Sequence, residues 1–348
     1  MILLDTEEQA ALRSAVRDLL ARGLSADAPA WTTLWKRMTG ELGLTGLAVP
    51  EAYGGAGAGL AEIAVAVEET GRVLAPVPYL STALAGYVLS RAGAADAGAA
   101  GIDVAAAGIG AAGEFLPGIA DGSLRAAFVF AGSLTVSGGR VSGSAAHVLD
   151  GASADLFIVA CGDSLYVVRA GDASVTPVET LDQTRSQAVV EFGSSAAALV
   201  TGCSGGMAED LFRVLLAVES AGAAAHCLDV TVAYLRTREQ FGRALGTFQA
   251  LRHRCADLAV EVASASATAT AAVASAPAGL EVLGPLAKKY CADVFWHVAA
   301  EMIQLHGGIG FTWEHSAHRY LKRAKTTQLI LGSPAELRRL VAERAALF

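Results

Sequence analysis

The sequence predicts an α+β fold in three successive parts, helical, then β, then helical again. Two changes of hydrophobic period and the composition of the middle stretch point to it. Residues 6–22 place Leu12, Val16, Leu19 and Leu20 on one helical face behind a Thr6 cap, with acidic side chains in the first turn. Further helical patterns cover 31–43, 60–73 and 80–92, separated by the turn Pro50-Glu51-Ala52-Tyr53-Gly54-Gly55 and by Pro76 and Pro78. From about 123 to 200 the period shortens. AAFVFA, SLTVSG, RVSGSAAHVL, DLFIVAC, SLYVVRA and QAVVEF are short β-branched runs divided by Gly, Asp and Ser, which predicts a small antiparallel sandwich or barrel. After Gly205 the helical period returns over 206–236, 247–275, 279–305, 315–329 and 334–346, with Leu251, Cys255, Leu258 and Val262 forming one stripe. The expected divisions are 1–122, 123–203 and 204–348.

Composition narrows the function classes. The 348 residues are 53% hydrophobic and 17% charged, enough to bury a sizeable core and too apolar for a disordered chain. A mean hydropathy of +0.45 points to an oligomer with large buried contacts. A net charge of -8 has the wrong sign for neutralising nucleic-acid phosphates or anionic lipid. Cys161, Cys203, Cys227, Cys255 and Cys291 have neither CxxC pairing nor metal-ligand spacing, as expected of buried thiols in a reducing cytosol. The start, MILLDTEEQAALR, has no secretory pattern, and the uncharged stretch from Val262 to Leu280 is too weakly apolar to span a membrane; a cytoplasmic protein is expected.

The strongest local signals are Arg238-Glu239-Gln240-Phe241-Gly242, Thr247-Phe248-Gln249 and Gln304-Leu305-His306-Gly307-Gly308-Ile309-Gly310-Phe311. An Arg at a helix end and glycines that admit close backbone approach suit a pyrophosphate, and they equally suit a helix cap and a connector. His306, His315 and His318 have no zinc spacing and are read as structural or cofactor-adjacent. Lys322, Arg323 and Lys325 form a basic patch that could meet phosphates or simply be a solvated helix face.

The motifs in this order resemble the acyl-CoA dehydrogenases, whose R-x-x-F-G, F/H-Q and Q-x-x-G-G-x-G patterns recur as Arg238/Phe241/Gly242, Phe248/Gln249 and Gln304/Gly307/Gly308/Gly310. The resemblance extends to Val49-Pro50-Glu51 with Gly54-Gly55, to Asp182-Gln183-Thr184-Arg185, and to Asp210 with Arg213. It implies an N-terminal helical domain, a middle antiparallel β domain and a C-terminal domain like a four-helix bundle. It also implies FAD-dependent α,β-dehydrogenation of an acyl-CoA thioester, with electrons passed to an electron-transfer flavoprotein. By the same resemblance Arg238, Phe241, Gln249, Gln304, Gly307 and Gly308 would hold the ADP part of FAD across a subunit interface, and Asp210 and Arg213 would bind substrate.

Two departures qualify that implication. The family's catalytic glutamate stands before a Gly-Thr/Ser pair or before the arginine of a D-x-E-R segment, and these two places hold Leu331 and Phe212. Neither can accept a proton. Glu219, seven residues beyond Phe212 on about the same helical face, is a third candidate base, to be weighed against a carboxylate paired with a neighbouring helix; Glu51, Glu314 and Asp210 are weaker ones. The T-E-P-x-x-G-S-D type loop that lines the flavin is replaced by Phe128-Val129-Phe130-Ala131-Gly132-Ser133-Leu134. Three readings stay open: a subunit of a heteromeric enzyme whose partner, a second acyl-CoA dehydrogenase chain, supplies the base; a self-contained homo-oligomer using Glu219; and a structural or regulatory subunit. Heteromeric members are associated with bulky acyl groups such as steroid side chains.

Overall fold

The computed structural model describes residues 6–24, 31–100 and 113–346; the opening five residues of the start quoted above lie outside them. The described chain divides into two compact units. One comprises Thr6–Ala66 and Pro76–Phe212, the other Val67–Ala75 with Arg213 onward.

The first unit begins with α1 (Glu7–Leu24), α2 (Trp31–Leu42) and α3 (Leu60–Arg72) as far as Ala66, followed by α4 (Tyr79–Ala100) and α5 (Leu116–Ala120). Thr6 caps α1 as expected: the Gln9 N–H donates to Thr6 Oγ1 at 3.2 Å and the Thr6 N–H donates back to Gln9 Oε1 at 3.1 Å. Eight strands follow: β1 (Ala126–Val129), β2 (Ser133–Ser137), β3 (Arg140–Leu149), β4 (Leu156–Cys161), β5 (Ser164–Arg169), β6 (Ala173–Val178), β7 (Gln187–Ala196) and β8 (Ala198–Val200). They form two four-stranded sheets, β1-β4-β5-β8 and β2-β3-β7-β6. Alternate residues of both sheets, among them Val129, Val141, Phe157, Val190 and Phe192, fill one core. The Phe157 and Phe192 rings meet edge to face across it at 5.9 Å.

Two details differ from the sequence expectation. The sheets are antiparallel except that β1 and β4 run parallel, because the chain visits the other sheet as β2 and β3 before returning. Strands β6 and β8 carry no clear β-signal: β6 is a half-exposed edge strand holding Pro177, and β8 has only three residues.

The second unit contains α6 (Gly205–Thr237) from Arg213, a short hairpin of β9 (Glu239–Gln240) and β10 (Arg243–Ala244), then α7 (Gln249–Ala274), α8 (Leu280–His306), α9 (Ala317–Leu329) and α10 (Pro334–Arg344). Helix α8 packs against α7, α9 and α10. Ser333 and Glu336 form a capping box that starts α10. By length and composition α6 could cross a membrane, but 78% of its most apolar window is buried, as in the core helix of a globular fold. Its crossing with the end of α3 is set by two glycines. A Cβ on Gly71 would lie 2.4 Å from the Glu219 carbonyl oxygen, and one on Gly222 would lie 2.3 Å from that of Glu68. Backbone meets backbone there, so no side chain larger than hydrogen fits. The predicted stripe on α7 is buried at Leu258 and Val262, whereas Leu251 and Cys255 line a cavity of about 420 Å³ beside Leu235 and Arg236.

Candidate functional site

Arg238 follows the last turn of α6, its N–H donating to the Tyr234 carbonyl at 2.8 Å and its carbonyl accepting from the Leu245 N–H at 2.8 Å. Between those bonds Gln240 pairs with Arg243, leaving Phe241 and Gly242 as a two-residue turn with φ of 54° and 74°. Two successive positive φ values define a type I′ turn, in which Gly242 is at ease and Phe241 is held against its preference. Phe241 is 89% exposed. A bulky ring kept in a strained, solvent-facing position marks a surface built for contact. Phe248, edge-on to Phe241 at 6.1 Å and covered by the Arg243 guanidinium at 4.0 Å, braces the turn from the far side. Gln249 opens α7 and is exposed.

The glycine segment comes from the end of α8. The Gly307 N–H donates to the Gln304 carbonyl, and Gly307 has φ 63° and ψ −140°, a region essentially reserved for glycine. A Cβ on Gly307 or Gly308 would meet nothing within 4 Å, whereas one on Gly310 would lie 2.8 Å from the Ile303 carbonyl oxygen. Gly310 therefore serves packing, and Gly307 and Gly308 leave open backbone for a ligand. Tyr234, one turn before Arg238, stacks on His306 with centroids 4.3 Å apart and donates its hydroxyl to the His306 carbonyl at 3.3 Å. That contact ties the Arg238 end of α6 to the glycine turn. Arg238, Phe241, Gln249, Gln304, Gly307 and Gly308 are all exposed on this unit. Among the described residues the Arg238 guanidinium has no ion pair or hydrogen-bond partner. An unspent guanidinium and glycines whose Cβ positions are open fit a diphosphate.

The profile described as "Acyl-CoA dehydrogenase, C-terminal domain" matches residues 209–346, and "Acyl-CoA dehydrogenase, N-terminal domain" matches 6–108. The chain belongs to the acyl-CoA dehydrogenase family. It is 35% identical to acyl-CoA dehydrogenase IpdE2 of Mycolicibacterium smegmatis over 97% of this chain and 99% of that one. It is 36% identical to the IpdE2 of Mycobacterium tuberculosis over 97% of each. A variant of the Tcur3481–Tcur3483 steroid acyl-CoA dehydrogenase has the same fold, with a TM-score of 0.83 and 29% identity over 98% of this chain and 99% of that one. The ChsE4–ChsE5 complex from Mycobacterium tuberculosis contains a chain of the same fold, with a TM-score of 0.82 at 24% identity and full coverage of both. The protein is thus an oxidoreductase acting on acyl-CoA, and its cofactor is FAD.

The two positions that the sequence resemblance assigns to the base, Phe212 and Leu331, hold hydrocarbon side chains. Phe212 is buried in α6 and meets Phe128 at 5.7 Å and Phe130 at 5.5 Å, both edge to face, while Phe128 and Phe130 stack at 5.2 Å. Two of these three rings, Phe128 and Phe130, come from the stretch expected in place of the flavin-lining loop. Leu331, just after α9, has φ 55° and offers only its carbonyl, which accepts from Arg213 Nε at 3.2 Å. Arg213 and Asp210, expected at the substrate, are both buried. Glu219 is 12% exposed at its side chain and lies 3.0 Å from Arg323, whose side chain is 2% exposed. The basic patch read from Lys322, Arg323 and Lys325 is therefore not one face: Arg323 turns inward to Glu219, while Lys322 and Lys325 lie over the rings of Trp313 and Trp296 at 4.8 and 5.3 Å.

The remaining candidates have simpler roles. Glu51 sits in an exposed turn and Glu314 is exposed. Asp182 closes an Asx turn, accepting from the Thr184 N–H at 2.9 Å and the Thr184 hydroxyl at 2.5 Å. No group of three or more His, Cys, Asp or Glu could hold a metal ion among the described residues. The five cysteines are free, and burial pushes the Cys203 thiol up to about 11 and that of Cys291 up to about 12, away from reactive thiolate.

Sequence reading missed Lys288, which lies in an apolar helical run and is 1% exposed. Its Nζ donates to the carbonyls of Gln328 at 3.0 Å and Gly332 at 2.6 Å, pinning the turn that carries Leu331. Burial, with Arg213 adding to it, pushes the ammonium down to about 7, against the opposing pull of Asp293 and Glu336. The charged form is thus the disfavoured one in the folded state. Its cost to stability is constant below pH 7 and shrinks as pH rises from there toward the ordinary lysine value of 10.5. Relative to Lys288→Met, the wild type should gain at most about 1.4 kcal/mol per pH unit in that window. Urea titrations at pH 7, 8 and 9 check this; parallel profiles for the two proteins would refute it.

Proposed function

We propose that this chain is the subunit of a heteromeric acyl-CoA dehydrogenase that lacks the catalytic base. It lends Arg238, Phe241, Gln249, Gln304, Gly307 and Gly308 to the ADP part of FAD while a partner chain supplies the glutamate. The observation that carries the reading is the three-ring cluster at Phe212. A phenyl ring packed edge-on against Phe128 and Phe130 stands where a carboxylate would have to be, and Leu331 leaves the other position equally without a proton acceptor. Dehydrogenation needs a group within about 3 Å of the α carbon's proton, or one water away. Glu219 is engaged instead with Arg323, 3.0 Å away.

When bound, FAD accepts the hydride from Cβ of the acyl chain. The residues of this chain would bind and orient it: Arg238 would meet the diphosphate with a planar pair of donors, the open backbone at Gly307 and Gly308 would admit the phosphates closely, and Phe241 would offer an apolar contact. The steroid enzyme among the solved relatives favours a bulky acyl-CoA, such as one carrying a steroid side chain, as substrate. A two-chain complex of the same fold supports heteromeric assembly. An electron-transfer flavoprotein as acceptor, the cytoplasm as location and the division at 1–122, 123–203 and 204–348 belong to the same reading.

The test is to purify the chain alone and together with an acyl-CoA dehydrogenase encoded beside it, then to record flavin absorbance and its anaerobic bleaching by acyl-CoA. Yellow colour and bleaching are expected only for the pair, and Glu219→Gln in the pair should bleach at a near-normal rate. A chain that is yellow and bleached by itself, and that loses several orders of magnitude in rate on Glu219→Gln with FAD retained, would make Glu219 the base. A pair that assembles but never binds flavin would leave a structural subunit.

A further inference from the structure

His306 ends α8 immediately before Gly307 and is only 3% exposed. Its Nδ1 lies 2.7 Å from the Met302 carbonyl oxygen. A carbonyl can only accept, so Nδ1 carries the proton and Nε2 of the neutral ring is a bare lone pair. That Nε2 is buried and has no hydrogen-bond partner among the described residues. Tyr234 of α6 stacks on the ring, and His315 lies 4.3 Å from it, tilted by 43°. His315 Nδ1 accepts from the Ala317 N–H at 3.1 Å, which puts its own proton on Nε2. His318 of α9 donates from Nδ1 to the His315 carbonyl at 2.8 Å. Among the described residues the titratable groups that face His306 are therefore Tyr234, His315 and, behind it, His318, with no carboxylate in contact with its ring.

We infer that neutral His306 is the positioning residue of the ADP cradle, and that its protonation releases the Gly307–Gly308 turn from the Arg238 end of α6 and with it the hold on FAD. The inference rests on the assignment of that cradle made above. Protonating Nε2 would bury a new donor with no acceptor and place a positive charge beside a second imidazole. Burial, with His315 adding to it and the Met302 bond opposing, holds His306 below the ordinary imidazole range. The neutral, closed arrangement is thus fully stable above the ordinary value of 6.5, and its stability is lost as pH falls below it.

The experiment measures FAD dissociation from the assembled enzyme at pH 7.5 and 5.5, together with hydrogen exchange of the amides of residues 304–313, corrected for intrinsic rate. The wild type should lose FAD faster at the lower pH, the direction set by linked protonation of His306, and residues 304–313 should exchange faster in parallel. His306→Phe keeps a ring for Tyr234 to stack on and cannot titrate, so its FAD loss should be insensitive to pH. His315→Gln, should His306→Phe not fold, should move the midpoint up toward the ordinary imidazole value. Unchanged pH dependence in His306→Phe would overturn the inference, as would tighter FAD binding at pH 5.5, which would make the imidazolium a phosphate ligand. If the wild type holds no FAD at any pH, the cradle assignment fails, and the exchange of residues 304–313 still decides whether His306 controls the turn.

Discussion

Arg238→Ala is expected to weaken FAD binding by the assembled enzyme by about tenfold to a hundredfold, the loss that follows when charge-assisted hydrogen bonds to a phosphate are removed. The side chain is exposed and has no protein partner among the described residues, so removing it should leave the fold's stability within the noise of a surface change. That separates it from most loss-of-cofactor variants, in which affinity falls because the protein unfolds. Arg238→Lys should recover only part of the affinity, because an ammonium offers a point charge where the guanidinium offers a fork. Flavin content after dialysis, with thermal melting of the same samples, checks both statements. Full flavin retention by Arg238→Ala would take this residue out of the site.

Arg323→Met is expected to be the most destabilising single change considered, at about 3–5 kcal/mol, because it removes the guanidinium that meets a largely buried Glu219 carboxylate. Glu219→Gln alone should cost less, since an amide oxygen can still accept from the guanidinium. The double change Arg323→Met with Glu219→Leu should recover much of the loss, because a matched apolar pair carries no desolvation penalty. Denaturant midpoints for the three proteins give the coupling. A near-zero value for Arg323→Met would mean that the Glu219 carboxylate does not depend on Arg323, and would reopen its candidacy as a base.

The helices were legible wherever one face is buried along the whole element. Leu12, Val16, Leu19 and Leu20 repeat at the α-helical period, and α1 follows with Thr6 as its cap. The C-terminal helices were equally plain. Strand β6 was not, because only its first four residues alternate in burial and Pro177 then interrupts the pattern. The parallel β1–β4 pair was invisible for another reason: strand direction follows from the route of the chain through the other sheet, which no local pattern records.

The sequence by itself determined the order of the helical, β and helical parts and the side chains at Phe212 and Leu331, neither of them a carboxylate. These depend on residue identity and on near-neighbour sterics, which a linear string carries in full. Only the tertiary structure decided what each ambiguous side chain meets. Glu219 finds Arg323 across 104 residues of chain, and Lys288 closes on Gly332 across 44. Tyr234 meets His306 across 72. Partners so distant are chosen by how helices with broad, small-residue faces cross, here where Gly71 and Gly222 let backbones touch. That crossing is a property of packed surfaces in three dimensions, so the same glutamate could be read in one dimension as base or as ion-pair partner, and becomes the latter only when α6 and α9 are packed.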